Sequence, residues 1–167
     1  MPKSSQGINA DRYMLIPRTL IFLVKDSQVL LLKGAATKRL WSNHFNGVGG
    51  HVERGEDILT AARRELKEET GLESDDLRLC GTVVIDAGES IGVGIYIFRG
   101  RYIGGELRQS EEGELQWVER EEIYDLPLVE DLKAIMPRVL SCKNDEAPFA
   151  ARYSYNERDE LEIVFGV

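Results

Sequence analysis

The sequence predicts an α/β (α+β) fold, a mixed central sheet with helices packed outside it. Three observations predict it. Short runs rich in branched and aromatic residues outnumber helical stretches. Several of these runs come in pairs around turn residues, as hairpins do. Two stretches carry apolar residues at helical spacing and fall between the strand-like runs. The 167 residues suffice for one domain with a proper core and are too few for two ordinary ones.

Residues 1–12 are polar and read as a flexible N-terminus, leaving a single domain over residues 13–167. Tyr13–Lys25 reads as a strand, Asp26-Ser27 as a turn and Gln28–Lys33 as the hairpin partner. Arg39–Phe45 is a loop carrying Trp41 and His44. Asn46–Val52 is a short strand whose glycines let backbone approach a ligand. Leu77–Asp86 and Ile91–Tyr102 pair across a loop at Ala87–Ser90. Glu114–Val118 is a further strand, and Glu119–Tyr124 a short turn of helix. A second helix is expected over Leu128–Leu140, with Leu132, Ile135 and Met136 at helical spacing. Residues 149–166 form a C-terminal hairpin around Asn156–Asp159, either an addition packed on the domain or the contact of a homodimer.

The first helix lies in the stretch on which the chain turns, Gly50–Leu72. Gly49, Gly50 and Gly55 permit tight backbone before it. Asp57 stands where a helix starts, and Gly71 where one ends. At about 100° per residue, Leu59, Ala62 and Leu66 share the buried stripe. Glu65, Glu68 and Glu69 share an adjoining arc, with Ala61 leaving space above them. Three carboxylates this close repel one another unless a cation sits among them. A hard divalent cation with oxygen ligands resolves the conflict, and Mg²⁺ keeps positions free for water and phosphates. A lone E-x-x-E-E on a helix is more often a solvated face; the spacing around it decides.

That spacing is G-x₅-E-x₇-R-E-L-x-E-E-x-G-L, with Gly50, Glu56, Arg64, Glu65, Leu66, Glu68, Glu69, Gly71 and Leu72 all in place. It resembles the Nudix box. The resemblance implies an α/β/α sandwich with the box as a loop–helix–loop beside the sheet. It also implies Mg²⁺-dependent hydrolysis, with Mn²⁺ able to substitute, of a nucleoside diphosphate linked to another group. By the same resemblance Glu65, Glu68 and Glu69 are metal ligands, with Gly49 adding its carbonyl and Glu65 taken as general base. Glu56 and Arg64 are expected to pair and orient the loop.

Outside the box, Glu111, Glu112 and Glu114 offer one further acidic ligand. Glu112 is chosen, because it lies five residues before Trp117, a spacing similar to that in the family's oxidised-purine triphosphatases. F-N-G-V-G-G, Phe45–Gly50, resembles the segment before the box in 8-oxo-dGTP diphosphatases, which places Asn46 on the base. An amide pairs with a purine edge by donating and accepting together. Glu130 and Asp131 are candidates for the same base, or else an acidic helix N-terminus. Trp41, Phe45 and Tyr124 could stack on it, or belong to the core. The expected product pair is a nucleoside monophosphate and pyrophosphate, from a purine nucleoside triphosphate, oxidised or not.

Alternatives are ADP-ribose, nucleoside diphosphate sugars, dinucleoside polyphosphates, or a nucleotide-sensing domain without catalysis. The stretch Asp86-Ala87-Gly88-Glu89 lacks the proline or tyrosine that accompanies the first and third substrates in the family. The intact box carboxylates count against a mere sensor. A net charge of −8 speaks against nucleic-acid or anionic-membrane partners. The two cysteines, Cys80 and Cys142, suggest neither a disulfide framework nor a zinc site. The chain shows no membrane-length apolar run or export signal, so the cytoplasm is expected.

Overall fold

The computed structural model describes residues 2–7, 9, 11–37, 41–108, 110 and 112–166. The strands are β1 Met14–Lys25, β2 Gln28–Gly34, β3 Phe45–Asn46, β4 Leu72–Glu73, β5 Arg78–Ile85, β6 Ile91–Arg101, β7 Gly104–Gly105, β8 Gly113–Glu119, β9 Phe149–Tyr155 and β10 Leu161–Phe165. The helices are α1 Ile58–Thr70 and α2 Leu132–Ser141, with a short 3₁₀ turn at Ile123–Asp125. An eight-stranded mixed sheet runs β10-β9-β5-β6-β1-β2-β3, and β8 also pairs with β2. β4 and β7 form a separate two-stranded sheet.

Strand alternation sorts the core into two layers. Along β1, Ile21 and Leu23 join Leu30, Leu32 and Phe98 against Ala62 and Leu66 of α1. Phe22 and Val24 point the other way, joining Val29, Leu31 and Ile97 against Leu132, Ile135, Met136 and Val139 of α2. Successive side chains on a strand face opposite sides, so the continuous apolar runs at residues 20–24 and 29–32 require cover on both faces. One helix on each face supplies it, and the result is an α/β/α sandwich.

Two boundaries differ from the sequence reading, for the same reason. The strand expected over Asn46–Val52 is reduced to Phe45–Asn46, followed by isolated bridges from Val48 to Ile21 and from His51 to Arg18. α2 begins at Leu132 rather than Leu128. Phe45 N donates to Pro127 O at 2.8 Å and Val129 N to Phe45 O at 3.0 Å, so residues 127–129 run extended beside β3. No local periodicity signals that long-range pairing.

The C-terminal hairpin is built into the sheet. β9 pairs in parallel with β5, and β10 lies antiparallel on β9. Gly81 makes room for it: a Cβ there would run into the Phe149 ring. Tyr153 of β9 is only 2% exposed. Among the described residues no helix is long and apolar enough to cross a membrane.

Candidate active site

The site begins where β1 and β2 part. They pair only at the hairpin end, Val24 with Val29 and Lys25 with Gln28. Beyond it, residues 45–52 cross the gap. Asn46 pairs with Leu32 of β2, and the chain then passes along β1. Ile21 N donates to Val48 O at 2.6 Å, Thr19 N to Gly50 O at 2.8 Å, and Val52 N to Pro17 O at 3.1 Å. Gly49 takes φ 147°, and a Cβ on it would meet the Thr19 carbonyl. Only glycine suits that backbone and that approach.

The loop then enters α1. The Asp57 carboxylate accepts from Leu59 N and Thr60 N, both at 2.9 Å, which caps the helix. Gly71 closes it at φ 75°, its N–H donating to Lys67 O. Ala62 and Leu66 are buried and Leu59 half-buried. Ala61 is fully buried as well, so it is core rather than space above the glutamates.

Arg64 gathers the carboxylates. Its Nη2 donates to Glu56 Oε1 at 2.6 Å and its Nε to Glu56 Oε2 at 3.1 Å. Its Nη1 donates to Glu65 Oε1 at 2.9 Å and Glu68 Oε2 at 3.1 Å, and Nη2 also reaches His51 O at 3.0 Å. The hydrogen bonds from Arg64, then the one from Glu53 N, hold the Glu56 carboxyl below its ordinary range. Glu56, and next Glu65, push the Arg64 guanidinium further up. The Glu65 side chain is 12% exposed and Glu68 62%, so the first is enclosed and the second turned outward. Glu69 accepts from Gly49 N at 3.4 Å.

One cleft of about 640 Å³ brings most of the expected residues together: Asn46, Gly49, Gly50, Glu65, Glu69, Glu112, Glu130 and Asp131 all line it. Glu56, Arg64 and Glu68 stand outside its lining and reach it through Glu65 and the loop. Asn46 Oδ1 accepts from Gly47 N at 2.8 Å, which fixes the amide in place. Asp131 holds the N-cap position of α2, yet its side chain makes no capping bond, and burial pushes its carboxyl up. Trp41 lines the cleft, half exposed at 51%; Phe45 is core, and Tyr124 is exposed and outside the lining. Glu114 is exposed outside the cleft, and Glu111 lies outside the described residues.

The structure adds residues that sequence reasoning missed. Arg18 Nε donates to His51 Nε2 at 3.1 Å, and both line the cleft. Arg18 is the only lysine or arginine in the lining among the described residues. Tyr153 lines it too, and its hydroxyl has no hydrogen-bond partner among the described residues. Neither carries a sequence signal: an arginine inside a strand and a tyrosine in a hairpin are both ordinary.

The donor set suits a hard cation in kind. The expected ligands Glu65, Glu68, Glu69 and the Gly49 carbonyl would offer it oxygen alone. The missing Cβ of Gly50 lets the loop backbone lie directly against the Glu65 carboxylate, which a Cβ would approach to 2.6 Å. Among the described residues, however, no three acidic, histidine or cysteine side chains already stand around one point. Glu65 and Glu68 are turned onto Arg64 instead.

A family model described as the NUDIX domain matches residues 14–139. A Danio rerio protein named oxidized purine nucleoside triphosphate hydrolase is 38% identical over 106 residues, 63% of this chain and 67% of that one. Its Mus musculus namesake is 29% identical over 144 residues, 86% of this chain and 88% of that one. The crystal structure of a MutT protein from Bacillus halodurans aligns with TM-score 0.76 and 28% identity, covering 90% of this chain and 97% of that chain.

Proposed function

This chain belongs to the Nudix family of hydrolases, and we propose that it converts purine nucleoside triphosphates, oxidised ones included, to the monophosphate and pyrophosphate. One observation carries the reading: box carboxylates, a fixed asparagine amide and an apolar slot share a single cleft. The zebrafish and mouse relatives, named as hydrolases of oxidised purine nucleoside triphosphates, support the substrate class.

Hydrolysis breaks the anhydride between the α and β phosphates, and the water oxygen ends on one of them. Glu65, Glu68, Glu69 and the Gly49 carbonyl would hold Mg²⁺ or Mn²⁺, with Glu112 completing the set from the far side of the cleft. When bound, that cation neutralises phosphate oxygens and acidifies water. Glu65 accepts the proton of the attacking water. Glu56 and Arg64 touch no substrate; they keep Glu65 and the loop in place.

The phosphates meet a lining with Glu53, Glu65, Glu69, Glu112, Glu130 and Asp131 on it. Against that charge Arg18 is the cation that the described lining supplies. His51 engages its Nε and leaves both terminal nitrogens to fork onto a phosphate. The base lies against Asn46, Asp131 and the apolar wall. A net charge of −8 counts against RNA as the substrate.

The test is a Mg²⁺-dependent hydrolysis panel of dGTP, 8-oxo-dGTP, ADP-ribose, a nucleoside diphosphate sugar and a dinucleoside polyphosphate. The purine triphosphates should show the highest specificity constants and release pyrophosphate. ADP-ribose above dGTP overturns the reading.

A further inference from the structure

Tyr153 sits on β9, beside Ile85 of β5 and Ile163 of β10. The residue is 2% exposed and belongs, with Val129, to the layer covered by α2, against which Ile85, Ile95 and Leu161 also pack. Tyr153 lines the cleft; its hydroxyl is buried beside the Asp131 carboxyl and meets no partner at good hydrogen-bond geometry among the described residues. A buried polar atom without a partner is costly, and native proteins keep few of them. On a residue that lines a ligand cleft, such an atom can take its partner from the ligand.

The surroundings say which part of the ligand comes here. Ile85, Ile95, Val129 and Leu161 also line the cleft, and they hold no charge to balance a phosphate. They suit the faces of a flat heterocycle. The polar group facing Tyr153 is the Asp131 carboxyl, from the N-cap of α2. Burial, and next the charge of Asp131, push the Tyr153 hydroxyl up, so it stays a donor. A donor beside an acceptor complements a lactam edge, in which a ring carbonyl adjoins a ring N–H. A 6-aminopurine presents the reverse order.

We propose that Tyr153 is a specificity-determining residue, whose hydroxyl donates to the ring carbonyl of a 6-oxopurine while Asp131 accepts the neighbouring ring N–H. This rests on the nucleotide reading given above. It adds the edge of the base that is read and assigns a task to the C-terminal hairpin.

The experiment compares the wild type with Tyr153→Phe on dGTP, dITP and dATP, with melting of the ligand-free protein measured alongside. Phenylalanine keeps the ring and removes the hydroxyl. For dGTP and dITP, kcat/KM should fall about tenfold, mainly through KM, while dATP is unchanged or improved. The ligand-free variant should melt close to the wild type, because the hydroxyl faces Asp131 without a hydrogen bond of good geometry. Equal effects on dGTP and dATP, no effect on either, or a clearly lower melting temperature in Tyr153→Phe each overturn the assignment. Wild type inactive on all three nucleotides overturns the nucleotide reading as well, a result distinct from failure of Tyr153 alone.

Discussion

The Glu65 carboxylate fills the space that a side chain on Gly50 would occupy. A Cβ there would lie 2.6 Å from its Oε1 and 2.7 Å from its Oε2. The obstacle is the end of a flexible side chain rather than backbone, so Gly50→Ala has a cheap escape: the carboxylate moves. The fold is therefore expected to survive. Turnover should fall at least tenfold, because one displaced group in a positioned set costs about that much or more. Circular dichroism and steady-state kinetics check the pair. Gly49→Ala provides contrast, since its Cβ meets the Thr19 backbone carbonyl at φ 147° and the fold itself should weaken.

Glu56 holds two nitrogens of Arg64, and Arg64 in turn holds Glu65. Glu56→Gln should lower kcat by roughly 10–100-fold, the usual effect of disturbing a group that orients ligands. It should also change the acid limb of stability. The Glu56 and Asp57 carboxyls are held below their ordinary range, the first mainly by Arg64 and the second mainly by Thr60. A carboxyl so held favours the ionised fold. Its contribution is complete above the unfolded-state value and disappears as pH falls through the folded-state value. Melting temperature against pH should therefore drop less steeply on the acid side in Glu56→Gln than in the wild type.

Arg18 lines the cleft without a carboxylate partner among the described residues, its Nε engaged by His51, and in the proposed function it meets the phosphates. Arg18→Gln should raise KM for the triphosphate about tenfold with kcat little changed, the pattern of lost uniform binding. Inorganic tripolyphosphate should lose potency as an inhibitor by the same factor. An unchanged KM would place the phosphates elsewhere.

Much of this was legible in the sequence, for local reasons. Asp57, Gly71 and the apolar stripe bound α1 because caps and periodicity are written within a few residues. The same holds for the β1–β2 and β9–β10 hairpins. What escaped was set at long range. α2 starts late because Leu128 and Val129 lie beside Phe45, over eighty residues away in the chain. β4 and β7 are two residues each and carry no pattern of their own. Arg18 acquires meaning from its bond to His51, and Tyr153 from the nearness of Asp131, arrangements that only the folded sheet creates. Three glutamates on one arc were readable; that Arg64 holds two of them was not.

The most direct test of the central claim is relaxation of the ³¹P signals of a non-hydrolysable purine nucleoside triphosphate by Mn²⁺ bound to the protein. The account predicts strong, saturable relaxation of the phosphates in the wild type, lost at matched metal concentration in Glu65→Gln and weakened in Glu112→Gln. Relaxation unchanged in Glu65→Gln would put the cation and the phosphates away from the box glutamates and contradict the account.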